Sequence, residues 1–328
     1  MPPLRYLSST EVAACLPPAD RRVELAAAAM RGLAEGDAEM PPKIGVHPRD
    51  GALLHAMPAW LRRRDLVGMK WISAFPSNRR LGLPAINGLI VLNDAETGLP
   101  TWLMDAAAIT AHRTAAVSGL ALRLFARSDD GAKLTVAVLG AGVQARSHLE
   151  LLAGLLPDAT VRLHDRHAER TARLVDELNR LRGDGWVEPA DSAQAAVDGA
   201  AVVITVASLQ KGTAAMTPDW LAPSTLVVAV DFATYVTGSV ATAAAPFVTD
   251  DRAQFVAYRE AGYFDGYRDP DTTLGELLAL PPEDRPRLPA GGRPVLVTHL
   301  GVGLADVIFA DAIAAEAERR GSGVVLAR

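Results

Sequence analysis

An apolar run, Val136-Ala137-Val138-Leu139, ends in Gly140-Ala141-Gly142-Val143-Gln144-Ala145 and passes straight into a helical pattern through Arg146, His148 and Leu149. No other stretch constrains the chain as strongly, because a strand must turn at once into a helix over G-x-G-x-x-A. Gly140 permits that tight turn. Gly142 lacks the Cβ that would keep a pyrophosphate away from the positive helix N-terminus. The third position is Ala145, a variant that the fingerprint allows. The next expected strand, Thr160-Val161-Arg162-Leu163-His164, ends at Asp165. An acidic group roughly 20–25 residues beyond the turn suits ribose hydroxyls.

At 328 residues the chain is long enough for two domains with a sizeable core. With 49% hydrophobic and 22% charged residues it has the composition of a globular protein, and its net charge of −5 offers no general attraction to nucleic acid or anionic membrane. The single cysteine, Cys15, lies among apolar residues and reads as a buried structural thiol in a reducing compartment. Met1-Pro2-Pro3-Leu4-Arg5 lacks a secretory pattern, and no apolar run reaches membrane-spanning length, so a cytoplasmic protein is expected. The seven histidines form no zinc spacing, so no metal is expected.

Residues 10–31 read as one or two helices with Ser9 or Thr10 as N-cap. From Ile44 to Thr101, short apolar alternations split by Gly, Pro and Asn predict an antiparallel sheet, with a hairpin loop at Asn93–Gly98. A helix is expected from Asp105 to Phe125, followed by a polar joint at Ser128-Asp129-Asp130-Gly131. Beyond it strands are predicted near 134–139, 160–164, 201–206, 226–231 and 246–249, and helices near 144–156, 168–182, 192–199 and 251–261. This alternation predicts an α/β fold, a Rossmann-type doubly wound parallel sheet. Residues 281–292 read as a surface loop. A strand at 295–298 and a helix at 304–319 then return the chain to the first domain and close an interdomain cleft. The expected division is 1–120 and 296–328 for an α+β substrate and dimerisation domain built from both chain ends, and 121–295 for the dinucleotide-binding domain.

Cations concentrate in the apolar first half. Lys70 lies inside Val67-Gly68-Met69-Lys70-Trp71-Ile72, where an unpaired ammonium would be costly. It needs a carboxylate, from the protein or from a substrate. Arg113 heads Arg113-Thr114-Ala115-Ala116, where small residues allow close helix packing. Together these residues resemble the ornithine cyclodeaminase/μ-crystallin family. The matching pieces are Lys70-Trp71-Ile72-Ser73-Ala74-Phe75-Pro76-Ser77-Asn78, Gly82-Leu83-Pro84, residues 92–98, Met104-Asp105, Ile109–Ala116, Leu139–Ala145, and Leu300-Gly301-Val302-Gly303-Leu304-Ala305-Asp306.

The resemblance implies a homodimer of two-domain subunits that moves a hydride between a nicotinamide and the α-carbon of a small amino or imino acid. It further implies that Lys70 and Arg113 bind the substrate carboxylate, with a third basic residue near Lys43. An arginine suits bidentate binding, and Lys70 could also protonate an imine nitrogen. His55 stands where relatives often carry arginine and could lend a weaker, pH-dependent contact, or be a packing histidine. On the cofactor side the expected residues are Gly140, Ala141, Gly142, Val143 and Gln144 at the turn, with Arg113 and Thr114. Asp165 and Arg166 are expected at the ribose, Thr205, Ala207 and Ser208 flanking the dinucleotide, and Val230, Asp231, His299 and Gly301 towards the nicotinamide. Asp165 favours NAD(H), while Arg166 leaves NADP(H) open.

One segment departs from the family pattern. Cyclodeaminases and some dehydrogenases of the family carry an acidic residue just after the strand matching Val227–Val230, followed by a segment like P-G-K-x-E-L. Here the chain reads Asp231-Phe232-Ala233-Thr234-Tyr235, with Ala233 at the acidic position. Asp231 could substitute as a catalytic carboxylate or could cap the following turn. The expected function is therefore an imine reductase or amino-acid dehydrogenase. The alternatives are an ornithine-type cyclodeaminase with retained NAD and, from another class, a non-catalytic crystallin-like ligand binder.

Overall fold

The computed structural model describes residues 3–126, 133–183, 185–285 and 292–327. Its contacts gather the chain into two compact units, Met1–Thr114 with Gly301–Arg328 and Ala115–Leu300. Unit 1 opens with β1 (Leu4–Leu7), α1 (Ser9–Ala14) and α2 (Ala19–Ala34). Ser8 caps α1 in place of Ser9 or Thr10. Its hydroxyl accepts from the Glu11 amide while the Glu11 carboxylate accepts from the Ser8 amide, a reciprocal capping box.

Next come β2 (Ala38–Glu39), β3 (Ile44–Val46), β4 (Leu53–Leu61), β5 (Leu66–Ala74), β6 (Ile86–Asn93) and β7 (Pro100–Asp105). β4 to β7 pair antiparallel in sequence, with the expected loop closing β6 onto β7. Alternation along β5 buries Leu66, Gly68, Lys70 and Ile72 on one face and turns Trp71 to the other. α3 (Ala107–Phe125) starts at Ala107 instead of Asp105, because Asp105 remains in β7 and its carboxylate accepts from the Ala107 amide.

Unit 2 alternates β8 (Thr135–Leu139), α4 (Val143–Leu155), β9 (Thr160–His164), α5 (Ala168–Arg182), β10 (Val187–Pro189), α6 (Ala193–Val197), β11 (Val202–Thr205) and β12 (Leu226–Ala229). It continues through α7 (Gly238–Ala243), β13 (Phe247–Thr249), α8 (Arg252–Glu260), β14 (Thr272–Thr273), α9 (Leu274–Ala279) and β15 (Val295–Thr298). The strands form one parallel sheet in the order β10-β9-β8-β11-β12-β15-β13-β14. Every residue of β11, β12 and β15 is buried, which is why these strands read as unbroken apolar runs.

The strands expected over 201–206 and 226–231 stop at Thr205 and Ala229, so Asp231 lies in a loop. The polar joint at Ser128–Gly131 lies outside the described residues, as does 286–291 of the expected surface loop.

The chain ends in α10 (Gly303–Arg320) and β16 (Val324–Leu326), both in unit 1. β16 and β1 extend the first sheet to the order β16-β1-β7-β6-β5-β4-β2, with β3 on β4. α10 packs on β5, β4 and β6 and against α2, and its residues from Gly303 to Ala310 are buried without interruption. Among the described residues no helix is long and apolar enough to cross a membrane, and no group of side chains is arranged to hold a metal ion.

Candidate active site

Unit 1 buries three charged groups together. Lys70 Nζ lies 2.6 Å from one carboxylate oxygen of Asp306, and Arg113 Nε donates to the other at 3.0 Å. Lys70 is 1% exposed and Asp306 is fully buried, so both charges sit where an unpartnered ion would not be tolerated. Lys70 arrives there because it occupies the inner face of β5, onto which α10 packs. The carboxylate that the Lys70 strand required is thus Asp306, a residue quoted in the family resemblance but not singled out as part of the site. Its one sequence signal is a lone acid between Ala305 and Val307 in an otherwise apolar helix start.

Burial pulls the Lys70 ammonium down to about 7; Asp306 opposes that fall, while Arg113 and Lys43 add to it. Gly301 adopts φ +81°, and a Cβ there would stand 2.4 Å from Arg113 Nη1, so the guanidinium lies over bare backbone. This contact places Gly301 with the cation cluster of unit 1. Thr114 uses its hydroxyl on the Thr110 carbonyl within α3.

His55 faces the same side of the sheet as Lys70, through the pairs His55 with Ile72 and Met57 with Lys70. Burial, then the charges of Lys43, His47 and Lys70, lowers its pKa to about 4. The imidazole is therefore neutral near pH 7. Lys43 is half-buried just ahead of β3, close enough for its charge to act on both His55 and Lys70.

In unit 2 the strand registers set Gly140, Asp165, Val206, Val230 and His299 in one row, each just past the carboxyl end of its strand. The order reverses between β8 and β11, the switch point at which doubly wound sheets take ligands. Gly140 has φ +120°, and a Cβ would meet the Val206 carbonyl at 2.9 Å, so only glycine fits. At Gly142, the N-cap of α4, a Cβ would meet nothing within 4 Å. The space above that helix start is open, as a pyrophosphate requires.

The Asp165 carboxylate accepts from the amides of Ala141 and His167, both at 2.9 Å, and so ties the turn to the end of β9. A cavity of about 130 Å³ is lined by Asp165, Arg166, Arg170, Ala207, Ser208 and Tyr235, among others.

Asp231 is buried. Its Oδ1 accepts from the Thr205 hydroxyl at 2.6 Å and its Oδ2 from the Ala207 amide at 3.2 Å. The carboxylate therefore fastens the loop after the neighbouring β11, and burial pushes its pKa up to about 7. The next residue, Phe232, has φ +61° and packs its ring against Tyr258, Tyr263 and Phe264. His299 is 1% exposed, and its Nε2 lies 2.8 Å from Ser118 Oγ. Ser118 Oγ also meets His148 Nε2 at 2.8 Å, and His148 Nδ1 donates to the Gln144 carbonyl at 2.7 Å. This buried chain joins the end of β15 to the first turns of α4 through two residues, Ser118 and His148, that the sequence had not marked.

Unit 2 is thus a Rossmann-type fold of the class that binds dinucleotides at the switch point. Residues 9–249 match the profile of the Ornithine cyclodeaminase/mu-crystallin family, and the chain belongs to it. It is 35% identical to the nodulation efficiency protein NfeD of Rhizobium meliloti over 324 residues, 99% of this chain and 98% of that one. Among solved structures it is similar to an archaeal alanine dehydrogenase dimer with bound NAD, with TM-score 0.84 and 25% identity over 99% of both chains. It also has the fold of Thermococcus litoralis Δ1-pyrroline-2-carboxylate reductase in complex with NADH and L-proline, with TM-score 0.85 and 22% identity over 98% of this chain and 100% of that one.

Proposed function

We propose that the protein is a nicotinamide-dependent reductase of a small α-imino acid, able to run in reverse as an amino-acid dehydrogenase. The observation that carries this reading is the pair of buried cations, Lys70 and Arg113, on a single carboxylate in a chain that also presents a dinucleotide turn. Two cations sharing one anion leave positive charge to receive a substrate carboxylate. A bound nicotinamide would supply or accept the hydride. Gly142 and the start of α4 would take its pyrophosphate, and Asp165 its ribose hydroxyls, which favours NAD(H). Arg166 and Arg170 in the same cavity make NADP(H) the competitor to test.

Arg113 would clamp the carboxylate and Lys70 would donate a proton to the imine nitrogen. That transfer is eased because burial already weakens the hold of Lys70 on its proton. Asp231 is tied by the Thr205 hydroxyl and the Ala207 amide to the loop after β11, and Ala233 stands at the acidic position of the cyclodeaminases, which favours reduction over cyclodeamination. The outer face of the unit 1 sheet carries exposed Ile44, Val46, Trp71 and Leu89, which suits a homodimer.

The test is a panel of cyclic and acyclic imino acids with NADH, followed by loss of reduced-nicotinamide absorbance. Oxidation of NADH with at least one of them supports the reading. Proline and ammonia formed from ornithine with no net NADH consumption would instead make the protein a cyclodeaminase.

A further inference from the structure

We propose that Asp306 is the positioning residue of the carboxylate site, holding the Lys70 ammonium and the Arg113 guanidinium in place while leaving donors on each for a substrate carboxylate. The role rests on the function proposed above and deepens it. Arg113 gives only Nε to Asp306, and its Nη1 and Nη2 edge, laid over Gly301, has the fork that matches a carboxylate. Lys70 carries three donors, of which one meets Asp306.

The groups that act on Lys70 come from four places. Asp306 on α10 favours its charge, while Arg113 on α3 and Lys43 ahead of β3 oppose it. His55 on β4 is neutral near pH 7. Asp306 is therefore the one group of this set that keeps the buried lysine a cation when substrate arrives.

The same arrangement serves the proton step. A bound reduced nicotinamide would supply hydride to the imine carbon, and the C=N π pair would take a proton from Lys70 Nζ. A new N–H bond forms on the substrate, the Nζ–H bond breaks, and its electron pair stays on a neutral amine that water later reprotonates. Throughout, Asp306 remains paired with Arg113, so the proton can leave Lys70 without stranding a buried anion.

The experiment measures binding of pyrrole-2-carboxylate, a planar carboxylate that cannot be reduced, by titration calorimetry from mildly acid through neutral to alkaline pH with NADH present. Wild type is compared with Asp306→Asn and Asp306→Glu, each with Asp231 intact because that group titrates in the same range. Wild type should bind at low pH and lose affinity as Lys70 deprotonates. Asp306→Asn should move that loss at least about tenfold in proton concentration towards acid, because a desolvated lysine without its anion gives up its proton sooner. Asp306→Glu keeps the charge but moves the carboxylate out by one methylene, so it should hold the wild-type pH limb while weakening the acid plateau about tenfold. The glutamate variant decides the matter alone should the asparagine variant fail to fold. A folded Asp306→Asn with an unshifted limb, or an Asp306→Glu identical to wild type, overturns the role of Asp306. A wild type that binds no carboxylate at any pH overturns the site itself and this role with it.

Discussion

At the scale of single residues, Lys70 and Asp231 show how one physical effect, burial, pushes a base and an acid towards the same pH from opposite sides. On the function proposed above, Lys70→Met would remove both a charge-assisted contact to the substrate carboxylate, worth about 1.5–3 kcal/mol, and a proton donor worth about 10²–10⁴-fold. We expect kcat/KM to fall by about 10³-fold or more on those grounds, while NADH affinity stays within about twofold because the turn residues lie in unit 2. Steady-state kinetics beside fluorescence titration of NADH would check this, and comparable losses in both would point away from a carboxylate role.

Asp231 bears on stability. Its folded pKa is raised from 3.8 to about 7, so between those values the folded state keeps a proton that the unfolded chain has released. The stability this group contributes is full below the ordinary aspartate range and is lost as pH rises through about 7. Asp231→Asn removes the titration and can still meet Thr205 and Ala207 if the Thr205 hydroxyl turns to accept. The melting temperature of the variant should therefore rise relative to wild type on going from acid to mildly alkaline buffer. A constant difference between the two proteins would show that Asp231 is not held protonated.

At the scale of elements, the glycine turn separates two demands that a motif cannot separate. Gly140 is required by the fold, with its positive φ and a Cβ blocked by the Val206 backbone, whereas Gly142 faces open space in an ordinary extended conformation. Gly140→Ala should lower the melting temperature or abolish soluble protein. Gly142→Ala should melt like wild type yet bind NADH about tenfold more weakly or worse, a loss of about 1.4 kcal/mol. Thermal melts paired with NADH titration distinguish the two, and an unweakened Gly142→Ala would remove the pyrophosphate from that helix start.

The same stretch shows what was legible from residues alone. Buried parallel strands are nearly unbroken apolar runs, so β8, β11, β12 and β15 could be placed to within a residue or two at most ends, and β9 showed through its alternation of buried Val161 and Leu163 with polar neighbours. β1 and β16 escaped notice because they are strands of only four and three residues, and six-residue helices such as α7 carry too few turns for a periodic signal. Asp306 was beyond reach for another reason. Its meaning lies in a pairing with residues some two hundred positions away, and nothing local in Leu304-Ala305-Asp306-Val307 specifies a partner.

At the scale of the whole molecule, the outer face of the first sheet poses the remaining question. Register places Ile44, Ala56, Trp71 and Leu89 side by side across β3, β4, β5 and β6, on the face opposite Lys70, and Val46 lies in a neighbouring row. Ile44 is 66% exposed, Trp71 41% and Leu89 38%. Contiguous apolar rows in the middle of a sheet are seldom left in water by monomeric proteins. A second copy of this chain is the occupant our proposed function implies, and an isologous contact would set each row against its mate about a two-fold axis. Trp71→Glu would bring two like charges into such a contact and desolvate both. Because Trp71 points away from the Lys70 cluster, the change should leave the monomer folded. Light scattering on a sizing column should then find wild type as a dimer and Trp71→Glu as a monomer, with the melting curve of the variant still cooperative. A wild type that runs as a monomer at micromolar concentration, or a Trp71→Glu protein that stays dimeric, would show that this face is not where subunits meet.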